Sequence, residues 1–435
     1  MKKICIVGLG YIGLPTSIVA TQAGFEVVGF DIDMQRVERI NNYDPVIEEP
    51  EIFEKLGAAL KSGLFRATTV IEQADCFVIA VPTPFHDDKT ADVTYVWSAG
   101  SSIATVLKKG DTVILESTVP VGTTDRLARL LAQQTGMHAG VDFFVAHCPE
   151  RVLPGNIFKE LVLNARIIGG VNQESIEPAK EFYKKFVTGP LYLTNAATAE
   201  MVKLVENSSR DVQIAFANQV AGMAYAMNLN PFEVIELANK HPRVSILNPS
   251  CGVGGHCIAV DPWFLIETFP EHTGLLKKAR EVNDEKPEAV IRQVKREVAR
   301  WKATQQKPCK ILLLGLSYKP DIDDMRESPA VHIAQALSRG QLDIAVCEPH
   351  MSPTAVAQLV HAPAVTLSQG LSQADIIVCL VKHKLFKSID KKSLSTKIVL
   401  DTCGLFYEPH QENGQEQMYW PASNSFYRMY GKDGL

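Results

Sequence analysis

Over roughly the first 190 residues, apolar side chains fall in short, nearly unbroken runs rich in β-branched residues, at 4–8, 26–30, 76–81, 112–116 and 143–146. Longer stretches with helical spacing lie between them. Apolar runs without polar alternation suit strands covered on both faces, and their alternation with helices predicts βαβ units on a parallel sheet. From about 196 the pattern turns helical: 197–227 contains no proline, and no glycine before Gly222. Further helices are expected to about 275. A charged stretch, 277–302, broken only by Pro287, predicts a semi-rigid helical connector. After Pro308 the strand and helix alternation returns.

The returning pattern repeats the first. ADCFVIAV at 74–81 is echoed by ADIIVCLV at 374–381, 27–31 by 344–348, and 112–118 by 397–402. The expected architecture is therefore α/β: two Rossmann-like parallel-sheet domains, 1–195 and 304–435, flanking a helical central domain, 196–303, with a long central helix.

Composition narrows the function. With 435 residues, 44 basic against 49 acidic and a net charge of −5, nothing points to nucleic acid, and any anion must be held by a local cluster of cations. The nine cysteines form no CxxC pair, which argues against a disulfide framework or a zinc ribbon, so no metal is expected and a reducing compartment, the cytoplasm, is. Met1-Lys2-Lys3 followed by apolar residues imitates a signal peptide, but Gly8, Gly10, Gly13 and Pro15 interrupt the run, and no stretch elsewhere is long and apolar enough for membrane insertion.

Those glycines have a better explanation. Gly8-Leu9-Gly10-Tyr11-Ile12-Gly13 directly follows a strand and opens a helix, and Asp31 ends the next strand. The first glycine permits the tight turn, the second lets the backbone approach a pyrophosphate, and the third lets helix pack on sheet; Asp31 suits the ribose hydroxyls and repels a 2′-phosphate, favouring NAD over NADP. In the second such domain, 311–320, only Gly315 survives, so a different nucleotide is expected there, with Lys319 offering a cation to phosphate.

Lys203, Asn207 and Arg210 recur at spacings of four and three and project from one helix face. Alone, such a triplet is most often a solvated stripe. In 251–262, however, CGVGGHCIAVDP places Cys257 at the end of a glycine-rich loop with Asp261 one helical turn on. A lone cysteine is usually a small buried hydrophobe, whereas a thiol near a lysine gains thiolate character.

Taken together, the residues resemble the UDP-glucose/GDP-mannose dehydrogenase family over essentially the whole chain. The resemblance is carried by GLGYIGLPT (8–16), VPTP (81–84), EST (116–118), CPERVLPG (148–155), TAEMVKLVEN (198–207), His241-Pro242-Arg243, GVGGHCIAVDP (252–262) and YKPDIDDMRESPA (318–330). It implies a four-electron oxidation of a nucleotide-sugar alcohol to the acid with two NAD molecules in succession. Cys257 is then the nucleophile of a thiohemiacetal and a thioester, Lys203 and Asn207 stabilise the oxyanion and shuttle protons, and Glu150 and Asp261 act as base or orient water, with Thr118 also catalytic. The resemblance assigns Tyr11, Ile12, Asp31, Arg36, Thr83, Thr118 and Arg326 to NAD beside Gly8, Gly10 and Gly13. It assigns Arg151, Val152, Lys203, Asn207, Arg210, His241, Arg243, Gly254, Tyr318 and Lys319 to the UDP-sugar. It also implies a homodimer built on the long helix, with the Arg243 region near the interface.

Four positions depart from the family pattern. Pro154 stands where UDP-glucose dehydrogenases carry a second glutamate and Val260 where a lysine often precedes the aspartate, which favours the branch acting on N-acetylated sugars. Cys251 replaces a proline, and Cys403 a basic residue. Two-electron hydroxy-acid dehydrogenases also pair a Rossmann domain with a long helix bearing Lys and Asn, but Cys257 and the third domain disfavour that reading, as the intact motifs disfavour a silent NAD-binding protein.

Overall fold

A computed structural model describes residues 1–47, 49–153, 155–255 and 257–408. The chain divides into two compact units, Met1–Glu206 with Trp263–His272, and Asn207–Pro262 with Thr273–Leu435.

The first unit is built on an eight-stranded sheet: β1 (Lys3–Val7), β2 (Glu26–Phe30), β3 (Phe65–Thr68), β4 (Cys76–Ile79), β5 (Thr112–Leu115), β6 (Phe144–His147), β7 (Arg166–Gly170) and β8 (Leu191–Asn195), in the order β3-β2-β1-β4-β5-β6-β7-β8. The five strands expected from the apolar runs are present. Ile4, Ile6, Val78 and Ile114 face one core and Cys5, Val7, Phe77 and Val113 the other, so both faces are covered. Each fully buried aliphatic side chain adds about 1.5–3 kcal/mol of burial, which is why these runs tolerate no polar alternation. One expectation is modified: β7 runs antiparallel to β6, and β8 then pairs parallel with β7. β7 carries Arg166 and two glycines, and β8 is an edge with Tyr192 and Leu193 exposed, so neither announces itself as an apolar run.

The second unit holds a four-stranded parallel sheet of β9 (Lys310–Leu314), β10 (Asp343–Cys347), β11 (Ile376–Cys379) and β12 (Ile398–Asp401), ordered β10-β9-β11-β12. That order repeats β2-β1-β4-β5, so the internal echo in the sequence is a repeat of topology. It extends to hydrogen bonds: Asp31 after β2 accepts from Leu9 N (2.8 Å), and Glu348 after β10 accepts from Leu316 N (2.6 Å).

Two long helices supply the helical part, Ala196–Ala226 and Gly274–Gln305. The second contains the expected charged connector and passes through Pro287, which is buried.

Candidate active site

The turn after β1 is shaped by contact rather than flexibility. A Cβ on Gly13 would lie 1.8 Å from Gly8 O, so only glycine lets the helix Gly13–Gln22 start there, while around Gly10 nothing lies within 4 Å. That helix has Ile12 at its N-cap and no side-chain cap, and Leu14 N donates to Gly10 O (3.2 Å). Asp31, 5% exposed, is held by Leu9 N and by Arg36 Nη1 at 3.0 Å. An open backbone cradle, an uncapped helix start and a fixed acid after β2 fit the pyrophosphate and ribose of a dinucleotide. Tyr11 and Ile12 pack on the core beside this turn, and the Tyr11 hydroxyl donates to Glu49.

The ends of β4, β5 and β6 rise beside it, the edge where open α/β sheets bind ligands. Thr83 Oγ1 donates to Thr118 O (2.6 Å) and Ser117 Oγ to Val81 O (2.7 Å), fastening the VPTP and EST segments together. Glu150, 8% exposed, follows β6; its Oε1 accepts from Arg151 N (2.6 Å), and its Oε2 lies 2.7 Å from Arg166 Nη1. The same Nη1 lies 3.5 Å from Glu116 Oε1. Burial and the nearby Glu150 raise the Glu116 carboxyl to about 7. Arg151 grips Glu206 through Nε (3.1 Å) and Nη2 (2.6 Å), so its guanidinium is already bidentate within the chain, and Val152 is half-buried.

In the second unit, Cys257 is the one exposed thiol; seven of the other eight are buried and Cys403 is intermediate. Val260 N (3.1 Å) and Asp261 N (2.9 Å) donate to Cys257 O, winding a turn into the helix Asp261–Thr268. Asp261, 4% exposed, accepts from Asn207 Nδ2 at 2.5 Å. The glycines before Cys257 are needed by their own neighbours: a Cβ on Gly254 would meet Glu327 O at 2.6 Å and Tyr318 Cβ at 2.7 Å. Gly255 N donates to Arg326 O (3.1 Å), so the segment bearing Tyr318 and Arg326 lies directly on the thiol's loop. Burial, with Asp324 and Cys257 adding, pushes the Tyr318 hydroxyl up to about 12.

The structure thus gathers Gly254, Cys257, Asn207, Asp261, Tyr318 and Arg326 in one unit, and Gly8, Gly10, Tyr11, Ile12, Gly13, Asp31, Arg36, Thr83, Thr118, Glu150, Arg151 and Val152 in the other. Lys203, half-buried, precedes Asn207 by one turn of the same helix, and Arg210 on that helix is exposed. Lys319 is half-buried. Arg326 is clamped by Asp324 (2.8 and 2.5 Å). His241 and Arg243 stand exposed beyond the helix Pro231–Ala238, joined by Arg243 N donating to His241 Nδ1 (3.3 Å). Of the four departures, Pro154 lies outside the described residues, as does His256 in the glycine loop; Cys251 is buried with Sγ 3.5 Å from Leu380 O, and Cys403 Sγ lies 3.7 Å from Cys379 O. Sequence reasoning passed over Glu116 and Arg166. Glu116 appeared only as a carboxylate closing an apolar run and opening the EST segment, with no role attached, and Arg166 only as a cation opening such a run.

Comparisons with known proteins agree along the chain. The NAD-binding domain of the UDP-glucose/GDP-mannose dehydrogenase family matches residues 2–187, its central domain 197–285 and its UDP-binding domain 312–408. An NDP-N-acetyl-D-galactosaminuronic acid dehydrogenase of Ralstonia solanacearum is 46% identical over 413 residues, covering 93% of this chain and 96% of that protein. A UDP-N-acetyl-D-mannosamine dehydrogenase of Escherichia coli (strain K12) is 45% identical over 418 residues, covering 93% and 99%. Among solved structures, a UDP-D-ManNAc dehydrogenase from Pyrococcus horikoshii superposes with a TM-score of 0.86 at 40% identity, covering 94% of this chain and 96% of that one.

Proposed function

Because the chain belongs to the UDP-glucose/GDP-mannose dehydrogenase family and is an NAD-dependent UDP-sugar dehydrogenase, we propose that it oxidises C6 of UDP-N-acetyl-D-mannosamine to UDP-N-acetyl-D-mannosaminuronate through a thioester on Cys257. The observation that carries this reading is the exposed Cys257 thiol one turn before Asp261, whose carboxylate is held by Asn207.

The Gly8–Gly13 turn would hold NAD, which when bound would supply the hydride acceptor for each of the two oxidations. The residues then divide the work. An aldehyde has no hydride to give until a nucleophile makes its carbon tetrahedral; the Cys257 thiolate adds to it as a thiohemiacetal, which becomes the thioester on loss of the second hydride and the hydroxyl proton. Lys203 and Asn207 hold the oxygen on which negative charge develops, one such donor being worth about 3 kcal/mol. Glu150 and Asp261 take up and direct the proton of the water that releases the acid, and Thr118 positions the reacting group. Arg151, Val152, Arg210, His241, Arg243, Gly254, Tyr318 and Lys319 bind the UDP-sugar, the cations meeting the diphosphate. Tyr11, Ile12, Asp31, Arg36, Thr83 and Arg326 serve NAD. The working division is 1–195 for NAD, 196–303 for the thiol and the dimer contact, and 304–435 for the UDP moiety.

The long helix exposes Phe216 (52%) and Met223 (62%) on one stripe, with Met227 (72%) exposed just past its end, an apolar surface suited to the same stripe of a second copy, which supports a homodimer with the Arg243 region near its contact. Among the described residues no helix is long and apolar enough to cross a membrane, in keeping with a cytoplasmic enzyme supplying an aminuronate donor for surface polysaccharide.

The test is a panel of UDP-N-acetylmannosamine, UDP-N-acetylglucosamine, UDP-N-acetylgalactosamine and UDP-glucose followed at NADH absorbance. Two NADH per acid with the mannosamine substrate preferred is the expected result. One NADH per product would sink the four-electron mechanism, and preference for the galactosamine substrate would reassign the sugar along the line of the Ralstonia relative. Light scattering at monomer mass would overturn the dimer.

A further inference from the structure

Behind Glu150 the first unit buries a second carboxylate that the reaction scheme leaves unused. Glu116 (2% exposed), Arg166 (1%), Glu150 (8%) and Tyr183 (0%) converge from β5, β7, the loop after β6 and the helix Ile176–Tyr183. Tyr183 donates to Glu116 Oε1 (3.1 Å) and Thr16, on the dinucleotide-turn helix, to Glu116 Oε2 (3.5 Å). Cys148 and Cys76 are further ionisable groups near the cluster; burial pushes the Cys148 thiol up to about 12 and the Cys76 thiol well above its ordinary value. Two carboxylates face one guanidinium, and a net negative charge in such a place is costly, so the cluster holds a proton. Arg166 Nη1 stands 2.7 Å from Glu150 and 3.5 Å from Glu116, so the guanidinium favours Glu150 and the proton falls to Glu116. Among the described residues the guanidinium makes no aligned hydrogen bond to either carboxylate; it rests 5.2 Å from the Tyr183 ring and is held by charge, free to divide itself between them.

We propose that Glu116 is a positioning residue for Glu150 that acts through Arg166: protonated, it leaves the whole guanidinium charge on Glu150, and ionised, it draws part of that charge away and makes Glu150 the stronger base. This rests on the reading of Glu150 as a base in acid release. No bond to substrate is made by Glu116, and the proton it loses passes to solvent. The sign follows from the raised carboxyl, which titrates near 7: acid release quickens as pH rises through that value.

The experiment follows acid release after NADH formation in quenched single turnovers across pH, with infrared difference spectra of the full-length enzyme below and above the transition. The native enzyme shows a rate that climbs through about pH 7 and a protonated-carboxyl band that disappears with it. Glu116→Gln keeps KM for both substrates, loses the band, and releases acid at a nearly flat rate about three- to tenfold below the native alkaline plateau. Tyr183→Phe removes a donor that favours the ionised form and moves the transition to higher pH. A Glu116→Gln profile superimposable on the native one, or a transition unmoved in Tyr183→Phe, overturns the proposal; if Glu116→Gln does not fold, the tyrosine variant decides. Glu150→Gln separates the two readings: undiminished acid release in that variant refutes Glu150 as the base, while the infrared band still reports whether Glu116 holds the shared proton.

Discussion

Asn207 Nδ2 donates to Asp261 Oδ2 over 2.5 Å, tying the long helix to the turn that starts at Cys257. With Asp261 only 4% exposed, the contact sets where that carboxylate points relative to the thiol's backbone. Asn207→Ala should lower kcat by about 100-fold, as loss of a preorganised donor does, with NAD affinity unchanged. It should also cost about 1–3 kcal/mol of stability for the acceptor left short. A double-mutant cycle with Asp261→Asn measures the coupling; additive losses would show that the two residues work apart.

Thiol accessibility gives a prediction that needs no substrate. Cys257 is exposed whereas eight other cysteines are buried or intermediate, so a limiting alkylating agent on native enzyme should label Cys257 first, by peptide mass mapping. Cys257→Ala should bind NAD normally and form no acid. Turnover in that variant would end the covalent scheme.

Two glycines of the dinucleotide turn separate folding from binding. Gly13→Ala drives a Cβ to within 1.8 Å of Gly8 O, while Gly10→Ala meets nothing within 4 Å. The first should lower the melting temperature by several degrees or prevent folding. The second should melt like the native protein yet lose NAD binding by about tenfold or more, because the added methyl occupies the approach of the pyrophosphate. Equal effects in calorimetry and NAD titration would contradict this division.

His147, at the end of β6, is fully buried, and burial lowers its pKa from 6.5 to about 3. Between those values the unfolded chain takes up a proton that the folded chain refuses. Stability contributed by the neutral ring is therefore present above pH 6.5 and lost as pH falls toward 3, by up to about 1.4 kcal/mol per pH unit. Urea midpoints measured across that window should flatten by one proton in His147→Leu. Glu116 works in the opposite direction, since its raised carboxyl binds a proton more readily when folded and stability falls as pH climbs from 4.5 toward about 7.

Much of this was legible because the relevant spacing is short. The Gly8–Gly13 turn and Asp31 sit within one βαβ unit, so period and local chemistry pointed to them; Lys203 with Asn207 and Cys257 with Asp261 are each one helical turn apart, but their roles came from the family resemblance and not from the spacing. Glu116, just past the end of β5, and Arg166, at the start of β7, lie fifty residues apart beside apolar neighbours that set the pattern, and their meeting depends on β7 joining the sheet against the direction of β6. A strand opened by an arginine and closed by two glycines has no apolar signature, so the partner that defines Glu150's surroundings was hidden with it. Arg151 shows the same limit: a cation was visible, but not that Glu206 already engages it.

The repeated sheet order has a last consequence, in the partners of its two acids. Asp31 receives Leu9 N (2.8 Å), Asp33 N (3.0 Å) and Arg36 Nη1 (3.0 Å), and Glu348 receives Leu316 N (2.6 Å), Ser317 N (3.3 Å) and His350 N (2.8 Å) but faces His383 Nε2 (3.3 Å) where Asp31 has an arginine. The duplicated acid is tied to a histidine that also accepts from Asp321 N (2.9 Å), so this corner is built differently from the one after β2. On the proposal that Lys319 and other cations grip the nucleotide of the second sheet, its affinity should weaken with added salt more steeply than that of the NAD half.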